Sequence, residues 1–246
     1  MFRGVYTAAT GMVFQMKQVD LIANNLANVE TNGFKRKELL GTTFGDLVVK
    51  FAHQAPGTDS TVGTGVKVDG VARFETPGNL VQTGNPLNMA LAGPGYFLVR
   101  SPDGTEKLTR DGDFQIDNVS RLVTRAGDFV LDTGRRPFVL DGELRTLKVA
   151  ENGQISLGDQ VLGNLMVVNP PAEALETRFP LAPPGLAPVL DGVNLRQGFL
   201  EHSNVNVVTE MVSLLGANRI YGFGQKIITA QDQMLQKAAN DLGRTS

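Results

Sequence analysis

Apolar side chains near the start of the chain recur with alternating spacings of four and three residues. This period places them along one stripe of a helix, and such a stripe packs against a second helix. The pattern predicts a helix over residues 4–30, which ends before Asn32-Gly33 because both residues tolerate positive φ. The N-terminal stripe, as we name this set, consists of Val5, Ala9, Met12, Met16, Val19, Ala23 and Leu26.

The end of the chain shows the same helical period. It predicts a second helix over residues 207–242, with Ser203, Asn204 and Asn206 as candidate caps and Glu210 where a negative charge suits the helix dipole. Gly216, Gly222 and Gly224 lie inside this helix, and each destabilises it by about 1 kcal/mol relative to alanine. Close packing of a neighbouring backbone can offset that cost. A further apolar row, from Ile220 to Met234, indicates more than one neighbour. The C-terminal stripe consists of Val207, Met211, Leu214, Tyr221, Ile228 and Leu235.

Between the helices, the pattern changes to short alternating runs separated by turn residues. Residues 95–110 predict two strands around a Pro102-Asp103-Gly104 turn, and Asn152-Gly153 marks a later hairpin. Most of the 28 glycines and 12 prolines are in this part of the chain. An antiparallel sheet with many tight turns requires such a composition.

The predicted fold class is α+β, in which the N- and C-terminal helices pair as a coiled coil. A β-rich connecting segment and an antiparallel β domain are inserted between them. Residues 44–52 predict a strand or short helix, residues 54–65 a loop, and residues 170–188 a proline-rich connection. The predicted divisions are an N-terminal axial helix at 1–33, the connecting segment at 34–83, the β domain at 84–190, a return connection at 191–203 and a C-terminal axial helix at 204–246.

Composition disfavours most kinds of active site. The 246 residues include no cysteine and two histidines, which argues against thiolate catalysis, disulfides and a histidine-rich metal site. No phosphate-binding loop, dinucleotide fingerprint or nucleophile elbow occurs. The carboxylates Asp111, Asp113 and Asp117 lack the other parts of a calcium loop, so we assign them to turns and strand ends. We therefore expect no enzyme activity, no cofactor and no metal.

The charges of the chain are balanced, with 23 basic and 25 acidic residues and a net charge of -2. Their distribution does not indicate a nucleic-acid surface. The densest basic run, Lys35-Arg36-Lys37, predicts a solvated or subunit-facing segment. Because no apolar run reaches about 18 residues and no Sec-type signal is visible, we expect neither a membrane span nor a cleaved signal peptide.

Three asparagines lie on the side of the first predicted helix that faces away from the N-terminal stripe. Asn24, Asn25 and Asn28 share this back face with Phe14 and Leu21 when residues are placed at 100° intervals. Amides bond across a packed contact at less cost than charges, so the mixture indicates a contact with another subunit. The alternative is that the asparagines are exposed helix-end residues. Such contacts, repeated without ring closure, generate a helical assembly.

The chain contains, in this order, YTAATGM, IANNLANVETNGFKR, GNLVQTGNPLNMAL, GPGYFLV, TRDGDFQID, LVT and LEHSNVNVVTEMVSLL. These segments resemble the rod and hook proteins of the bacterial flagellum, in the subgroup of rod proteins. The resemblance implies a structural protein whose terminal helices pair as a coiled coil along an inner tube, with the β domain facing outward. It also implies subunits that stack helically around the export channel and transmit motor torque to the hook.

The resemblance also implies partners and a location. The partners are other copies of the chain, adjacent rod and hook proteins, the flagellar export apparatus and the ring bushings. The location is the basal body, in the periplasm and cell envelope, reached by type III export without signal cleavage. Family members commonly keep their terminal helices disordered before assembly, which agrees with the marginal stability of isolated helices.

Within the family, the resemblance favours the proximal rod protein over the distal rod protein or a short hook-like protein. The segment at 40–65 is short, and NRIYGFGQK resembles a run of the proximal protein except at Gly222 and Gly224. From a different class, a secreted β-domain module that binds glycan or peptidoglycan on a helical stalk is also compatible with the sequence. An enzyme is the third alternative, and it requires a pocket with convergent polar groups in the β domain.

Overall fold

A computed structural model gives the fold of the chain. The predicted α+β class is confirmed: two long helices bracket a series of short antiparallel strands. The predictions for residues 44–64 lie outside the described residues. The described residues are 2–43, 65–140, 147–158, 160–171, 179–183, 185–189 and 194–243.

The two helices stand at the ends of the chain. They are α1 (Phe2–Ala27) and α2 (Val207–Gly243). None of the helices in the described part of the chain is long and apolar enough for a membrane span. The strands are β1 (Lys37–Thr43), β2 (Val66–Arg73), β3 (Leu80–Gln82), β4 (Met89–Leu91), β5 (Tyr96–Arg100), β6 (Glu106–Thr109), β7 (Phe114–Ile116), β8 (Leu122–Thr124), β9 (Phe129–Val130), β10 (Leu147–Val149), β11 (Gln154–Leu157), β12 (Gln160–Asn164), β13 (Val167–Val168), β14 (Leu195–Gln197) and β15 (Phe199–Glu201).

The chain forms two compact units, each built from segments that are distant in sequence. The helical unit consists of α1, the β1–β2 ribbon and α2, within residues 2–26, 37–43, 65–72 and 206–243. The β unit consists of residues 27–36 and the described residues of 73–205. The five divisions expected from the sequence stay predictions.

An antiparallel sheet of six strands forms the centre of the β unit. Its strands follow the order β13-β5-β9-β8-β7, and β6 pairs with β5. The β5–β6 hairpin turns at the predicted position, with a φ of +88° at Gly104, and the β10–β11 hairpin has a φ of +84° at Gly153. Asp117 has the predicted turn role, because its carboxylate accepts hydrogen bonds from the backbone N–H groups of Val119 and Arg121. The turn residues of the sequence therefore predicted the positions of these hairpins correctly.

Two apolar clusters form the core of the β unit. Phe97 and Phe114 meet edge to face in the larger one, with ring centroids 5.3 Å apart. Each large side chain buried in this way contributes roughly 1.5–3 kcal/mol. The larger cluster comprises Met89, Leu91, Phe97, Val99, Phe114, Leu122, Val130, Phe138, Leu140, Leu147, Ile155, Leu165, Val167 and Leu195. The smaller comprises Tyr96, Leu98, Leu108, Leu131, Met166 and Val168.

Two strand edges of the β unit are covered by other segments. Part of the proline-rich connection runs beside β6, where the N–H of Leu108 donates to the carbonyl oxygen of Pro180 at 2.7 Å. At β10, the side-chain oxygen of Gln197 accepts from the N–H of Val149, and its nitrogen donates to the carbonyl oxygen of Leu147. Covered edges cannot pair with strands of other chains.

The helical unit packs α1 against the β1–β2 ribbon. The hydroxyl oxygen of Thr10 accepts a hydrogen bond from the N–H of Val66 at 3.3 Å. At the start of α2, the side-chain oxygen of Asn206 accepts from the N–H of Thr209 at 3.1 Å, so Asn206 is confirmed among the three candidate caps.

The first helix ends earlier than predicted, at Ala27 rather than at residue 30. Hydrogen bonds from the N–H of Thr31 to Asn28 and from the N–H of Phe34 to Thr31 tighten the chain into turns. Gly33, at the end of these turns, has the predicted positive φ, of +67°. A Cβ at this position would also lie 2.4 Å from the carbonyl carbon of Arg110 in the β unit, so only glycine fits.

Candidate assembly interface of the terminal helices

Asn25 connects three elements of the helical unit. Its side-chain oxygen accepts a hydrogen bond from the N–H of Lys37 at 3.0 Å, and its nitrogen donates to the carbonyl oxygen of Lys37 at 2.8 Å. The amide thus pairs with the first residue of β1 as a neighbouring peptide group would. The same nitrogen lies 3.4 Å from Oε2 of Glu210, in the first turn of α2. With Asn25 2% exposed and Glu210 4% exposed, these contacts fix the start of β1 and the start of α2 against α1.

The back face of α1 therefore needs a correction. The ring of Phe14 packs on Gly41 of β1, where a Cβ would lie 2.3 Å from the ring, and Asn25 bonds to Lys37 of the same strand. The β1–β2 ribbon of the same chain contacts both side chains, and Asn25 is thereby buried within its own chain. A helical wheel shows one helix in isolation and cannot reveal a ribbon that returns from a later part of the chain. Contact with a neighbouring subunit stays a prediction for Phe14, Leu21, Asn24 and Asn28.

Contacts along their lengths show that α1 and α2 run antiparallel. A Cβ at Gly4 would lie 2.3 Å from Nε2 of Gln231, and a Cβ at Gly224 would lie 2.5 Å from Cγ of Met12. Together with the pair of Asn25 and Glu210, these contacts show that positions rise along α1 as they fall along α2. Gly224 therefore has the close neighbour that its cost in helix stability requires. The regular geometry of a coiled coil stays a prediction.

Among the helix residues whose burial is described, the most buried ones lie outside the predicted stripes. The buried residues are Ile22 and Asn25 in α1 and Glu210 and Ala217 in α2. Ile22 and Asn25 each precede a member of the N-terminal stripe by one residue, which corresponds to a rotation of 100° around the helix axis. The large apolar side chains of this stripe consequently lie beside the most buried face of α1.

The residues predicted for the interface differ in exposure. Asn25 is buried, and most of the others are half-buried. The half-buried residues are Val5, Ala9, Met12, Phe14, Val19, Leu21, Leu26, Asn28, Val207, Leu214, Tyr221 and Ile228. The exposed residues are Met16, Ala23, Asn24, Met211 and Leu235.

The second helix carries most of the exposed apolar surface of the helical unit. Eight large apolar side chains of α2 are between 49% and 70% exposed. At 100° per residue, those near the start of α2 and those in its middle lie side by side and together cover about half of the helix surface, on the side away from the row that contains Glu210 and Gly224. The first set is Val208, Met211, Val212 and Leu215, and the second is Ile220, Phe223, Ile227 and Met234.

An open cleft of about 530 Å³ lies between α1 and α2 within the helical unit. Its lining carries no charged side chain. The buried Oε1 of Gln231, at one end of the cleft, accepts no hydrogen bond within the described residues. The cleft is lined by Gly4, Thr7, Ala8, Gly11 and Met12 of α1 and by Ile220, Phe223, Gly224, Ile227 and Gln231 of α2.

The basic run after α1 is not uniformly solvated, which corrects the expectation for Lys35. This side chain is 1% exposed, and its Nζ lies 2.6 Å from Oε1 of Glu201 in the β unit. Nζ also donates to the carbonyl oxygen of Thr76 at 2.9 Å. The other carboxylate oxygen of Glu201 accepts from Arg110 at 3.0 Å. One buried carboxylate is therefore shared by two buried cations.

The protonation of this cluster reflects two opposing effects. Burial by itself raises the pKa of Glu201, but the hydrogen bonds from Lys35 and the N–H of Gly78, together with the charge of Arg110, lower that pKa below its usual value. Burial lowers the pKa of Lys35, and Glu201 opposes that shift. The ionised carboxylate is thus the state that the β unit stabilises.

Asn204, in the β unit, forms hydrogen bonds similar to those of Asn25 in the helical unit. The side-chain oxygen of Asn204 accepts from the N–H of Arg36 at 2.7 Å, and its nitrogen donates to the carbonyl oxygens of Phe74 and Thr76 at 3.0 Å. Asn204 lies three residues after Glu201, in the segment that leads to α2. The residues that follow α1 are thus held by the segment that precedes α2.

Comparison with known proteins assigns this arrangement to a family. The family model "Flagella basal body rod protein" matches residues 5–35, the model "Flagellar hook protein FlgE/F/G D1 domain" matches 90–157, and the model "Flagellar basal body rod FlgEFG protein C-terminal" matches 196–242. The flagellar basal-body rod protein FlgG of Buchnera aphidicola is 35% identical, with 96% of this chain and 98% of the relative aligned. The chain belongs to the flagellar basal-body rod protein family.

Other relatives support this assignment. The protein FlgG of Borreliella burgdorferi is 34% identical over 98% of both chains, and FlgF of Caulobacter vibrioides is 30% identical over 99% of both. This rod-family protein is therefore of the FlgG/FlgF type, a structural component of the flagellar basal body. The matches at 5–35 and 196–242 include most of α1, most of α2 and two residues of the charged cluster, Lys35 and Glu201.

Several of the residues that hold the rod-family protein together were missed by sequence reasoning. Lys35, Arg110 and Glu201 are far apart in the chain, and no local pattern predicts that they meet. The small residues of α1 could have been found, because Gly4, Ala8 and Gly11 repeat at spacings of four and three. A search for small residues at helical spacing indicates close helix approach, which a search for large apolar residues overlooks.

Proposed function

We propose that this rod-family protein is a structural subunit that polymerises helically around the flagellar export channel through its terminal helices and transmits motor torque to the hook. The observation that supports the proposal is the exposed apolar surface of α2, where eight large side chains are at least 49% exposed. Contiguous apolar surface of this extent indicates an interaction site. The proposed coiled-coil pairing of α1 and α2 would present this surface to other copies.

The proposal includes partners and a route. The partners are further copies of the chain, adjacent rod and hook proteins, the export apparatus and the ring bushings, and export proceeds without a cleaved signal peptide. Within the rod, we propose the proximal position, which the NRIYGFGQK run supports. The relatives carry both FlgG and FlgF names, so the position has to be tested by locating the labelled chain in isolated basal bodies.

A single charge in the N-terminal stripe tests the assembly surface. Leu26→Asp should abolish polymerisation and incorporation into the basal body while the β unit stays folded, because an ionised carboxylate is costly in an apolar contact. The matched control is Ala27→Asp, which introduces the same charge one residue later at an exposed position. Sedimentation of the purified chain and swimming of complemented cells give the readouts. Normal motility with Leu26→Asp would show that the stripe is not an assembly surface.

Circular dichroism during polymerisation tests the proposed coupling between folding and assembly. Because isolated helices are marginal in water, we expect the helical signal to increase as the purified monomer polymerises. A monomer that is fully helical at low concentration would contradict the coupling and leave the structural role intact.

A further inference from the structure

We infer that the apolar ridge of Val208, Val212 and Leu215 at the start of α2 inserts into the cleft between α1 and α2 of a second copy. The inference rests on the proposed function and specifies the two surfaces that meet. Its first support is exposure, because the three ridge side chains are 60–70% exposed although each is a branched apolar group.

The ridge and the cleft have matching periods. The ridge residues follow one another at spacings of four and three residues, and so do the small cleft residues Gly4, Ala8 and Gly11. A row of large side chains on one helix packs into the groove along a row of small side chains on another. The apolar wall of the cleft, formed by Ile220, Phe223 and Ile227, would contact the ridge from the side.

A chain cannot fill its own cleft with its own ridge. Both features belong to α2, which is one continuous helix over Val207–Gly243, and the ridge precedes the part of α2 that lines the cleft. The ridge must therefore enter the cleft of another copy. Because two different surfaces meet, a row of copies always has one unfilled cleft at one end and one free ridge at the other. Such a contact gives an open polymer rather than a closed dimer.

The size of the contact also favours a polymer. The three ridge side chains and the three apolar wall residues would bury on the order of 500 Å² of apolar surface, at roughly 60–120 Å² for each side chain. A standard stable interface buries about 1,600 Å² in total. One ridge in one cleft is therefore weak, whereas every copy within a polymer engages both surfaces. Neither set of residues carries a charge that would oppose the contact.

A polar group sets the direction of the ridge. The row of Val208, Val212 and Leu215 continues four residues later with Arg219, which is exposed. The buried Oε1 of Gln231, beside Gly4, lacks a hydrogen-bond donor within the described residues. A guanidinium supplies such donors. When Arg219 of one copy donates to Gln231 of the other, the ridge runs antiparallel to α1 of that other copy. This orientation brings Leu215 of the first copy beside Ala8 of the second.

Cysteine cross-linking tests this arrangement directly, because the chain contains no cysteine of its own. Purified full-length Leu215→Cys and Ala8→Cys are mixed under assembly conditions and oxidised. We expect at least about ten-fold more disulfide-linked pairs than from Ala8→Cys mixed with Lys237→Cys, an exposed position farther along α2, because a disulfide requires Cα atoms within about 7 Å. Non-reducing electrophoresis measures the yield.

The other outcomes separate the inference from the proposed function. Polymers that form without the Leu215–Ala8 cross-link would overturn the ridge and cleft contact and leave the structural role intact. Cross-links between two copies of Ala8→Cys would also overturn it, because two clefts would then face each other. A cross-link of Leu215→Cys to Gly11→Cys but not to Ala8→Cys would overturn the direction. If the unmodified chain does not polymerise at all, the proposed function fails as well.

A charge on the ridge provides a second measurement. Val212→Glu should raise the protein concentration needed for polymerisation at least about ten-fold, since a desolvated carboxylate without a partner is strongly unfavourable. The control is Val161→Glu on β12, where a valine of similar exposure lies in the β unit. Equal critical concentrations for the two variants would contradict the inference.

Discussion

The helical unit and the β unit use their apolar side chains in opposite ways. In the β unit, two clusters bury 20 apolar residues at 4% exposure or less. In α2, eight large apolar residues are at least 49% exposed. The β unit therefore has the core of an independently stable domain, whereas much of the apolar surface of the helical unit remains available to other chains.

The two units also differ in how they use buried polar groups. The β unit buries a carboxylate between two cations, and the helical unit buries an amide beside one carboxylate. Buried charges contribute little net stability as pairs, but removal of one member is costly. We therefore expect the β unit to be sensitive to single substitutions in its charged cluster and the helical unit to be sensitive mainly in assembly.

The largest effect is expected from Glu201→Ala. This change leaves Lys35 and Arg110 as buried cations without their shared carboxylate and should lower the free energy of unfolding by about 3–5 kcal/mol. Urea denaturation followed by near-ultraviolet circular dichroism of the buried Tyr96 measures the loss. The matched control is Asp117→Ala, which removes a partly exposed ion pair and should lower the free energy of unfolding much less than Glu201→Ala does. Similar losses for both variants would contradict the role of the cluster.

A pair of apolar truncations sharpens the contrast between the units. Leu122→Ala removes a fully buried side chain from the larger cluster and should destabilise the β unit by about 2–5 kcal/mol. Phe223→Ala, at a side chain that is 61% exposed, should change monomer stability by less than about 0.5 kcal/mol and should weaken polymerisation. Denaturation and sedimentation are compared on the same preparations. A large loss of monomer stability in Phe223→Ala would remove the distinction.

Acid should act on the β unit through Glu201. The folded pKa of this carboxyl lies below its unfolded value, so its stabilising contribution is complete above the unfolded pKa and disappears as the pH falls through the folded pKa. We expect the free energy of unfolding to decline below about pH 4, where glutamate in an unfolded chain becomes protonated. Glu201→Gln should remove this part of the decline, and an unchanged pH profile in that variant would show that other groups cause it.

The smallest effects concern two glycines of α2. A Cβ at Gly222 has no heavy atom within 4 Å, so Gly222→Ala should raise helix stability by about 1 kcal/mol. At Gly224 the added Cβ would lie 2.5 Å from Cγ of Met12, so Gly224→Ala should lose this gain or destabilise the helix pair. Thermal unfolding followed by the helical signal compares the two. Equal gains would show that Gly224 is not a close-contact position.

The accuracy of the sequence predictions followed the range of the interactions involved. The hairpins at 95–110 and around Asn152-Gly153 were predicted correctly, because turn residues act through their own backbone conformation. Both helices were placed to within three residues at each end, and the largest shift is at the end of α1. The small residues of α1 at the contact with α2 were missed, because they have no signal in a search for large apolar groups.

Sequence alone established the helical periods, the turn positions, the absence of cysteine and the resemblance to flagellar rod proteins. Tertiary structure alone decided that Asn25 bonds to β1, that Lys35 is buried with Glu201 and that α2 exposes much of its apolar surface. The physical reason is that propensity and periodicity depend on neighbouring residues. Burial and pairing instead depend on side chains that folding brings from distant parts of the chain, such as Lys35 and Glu201, which are 166 positions apart.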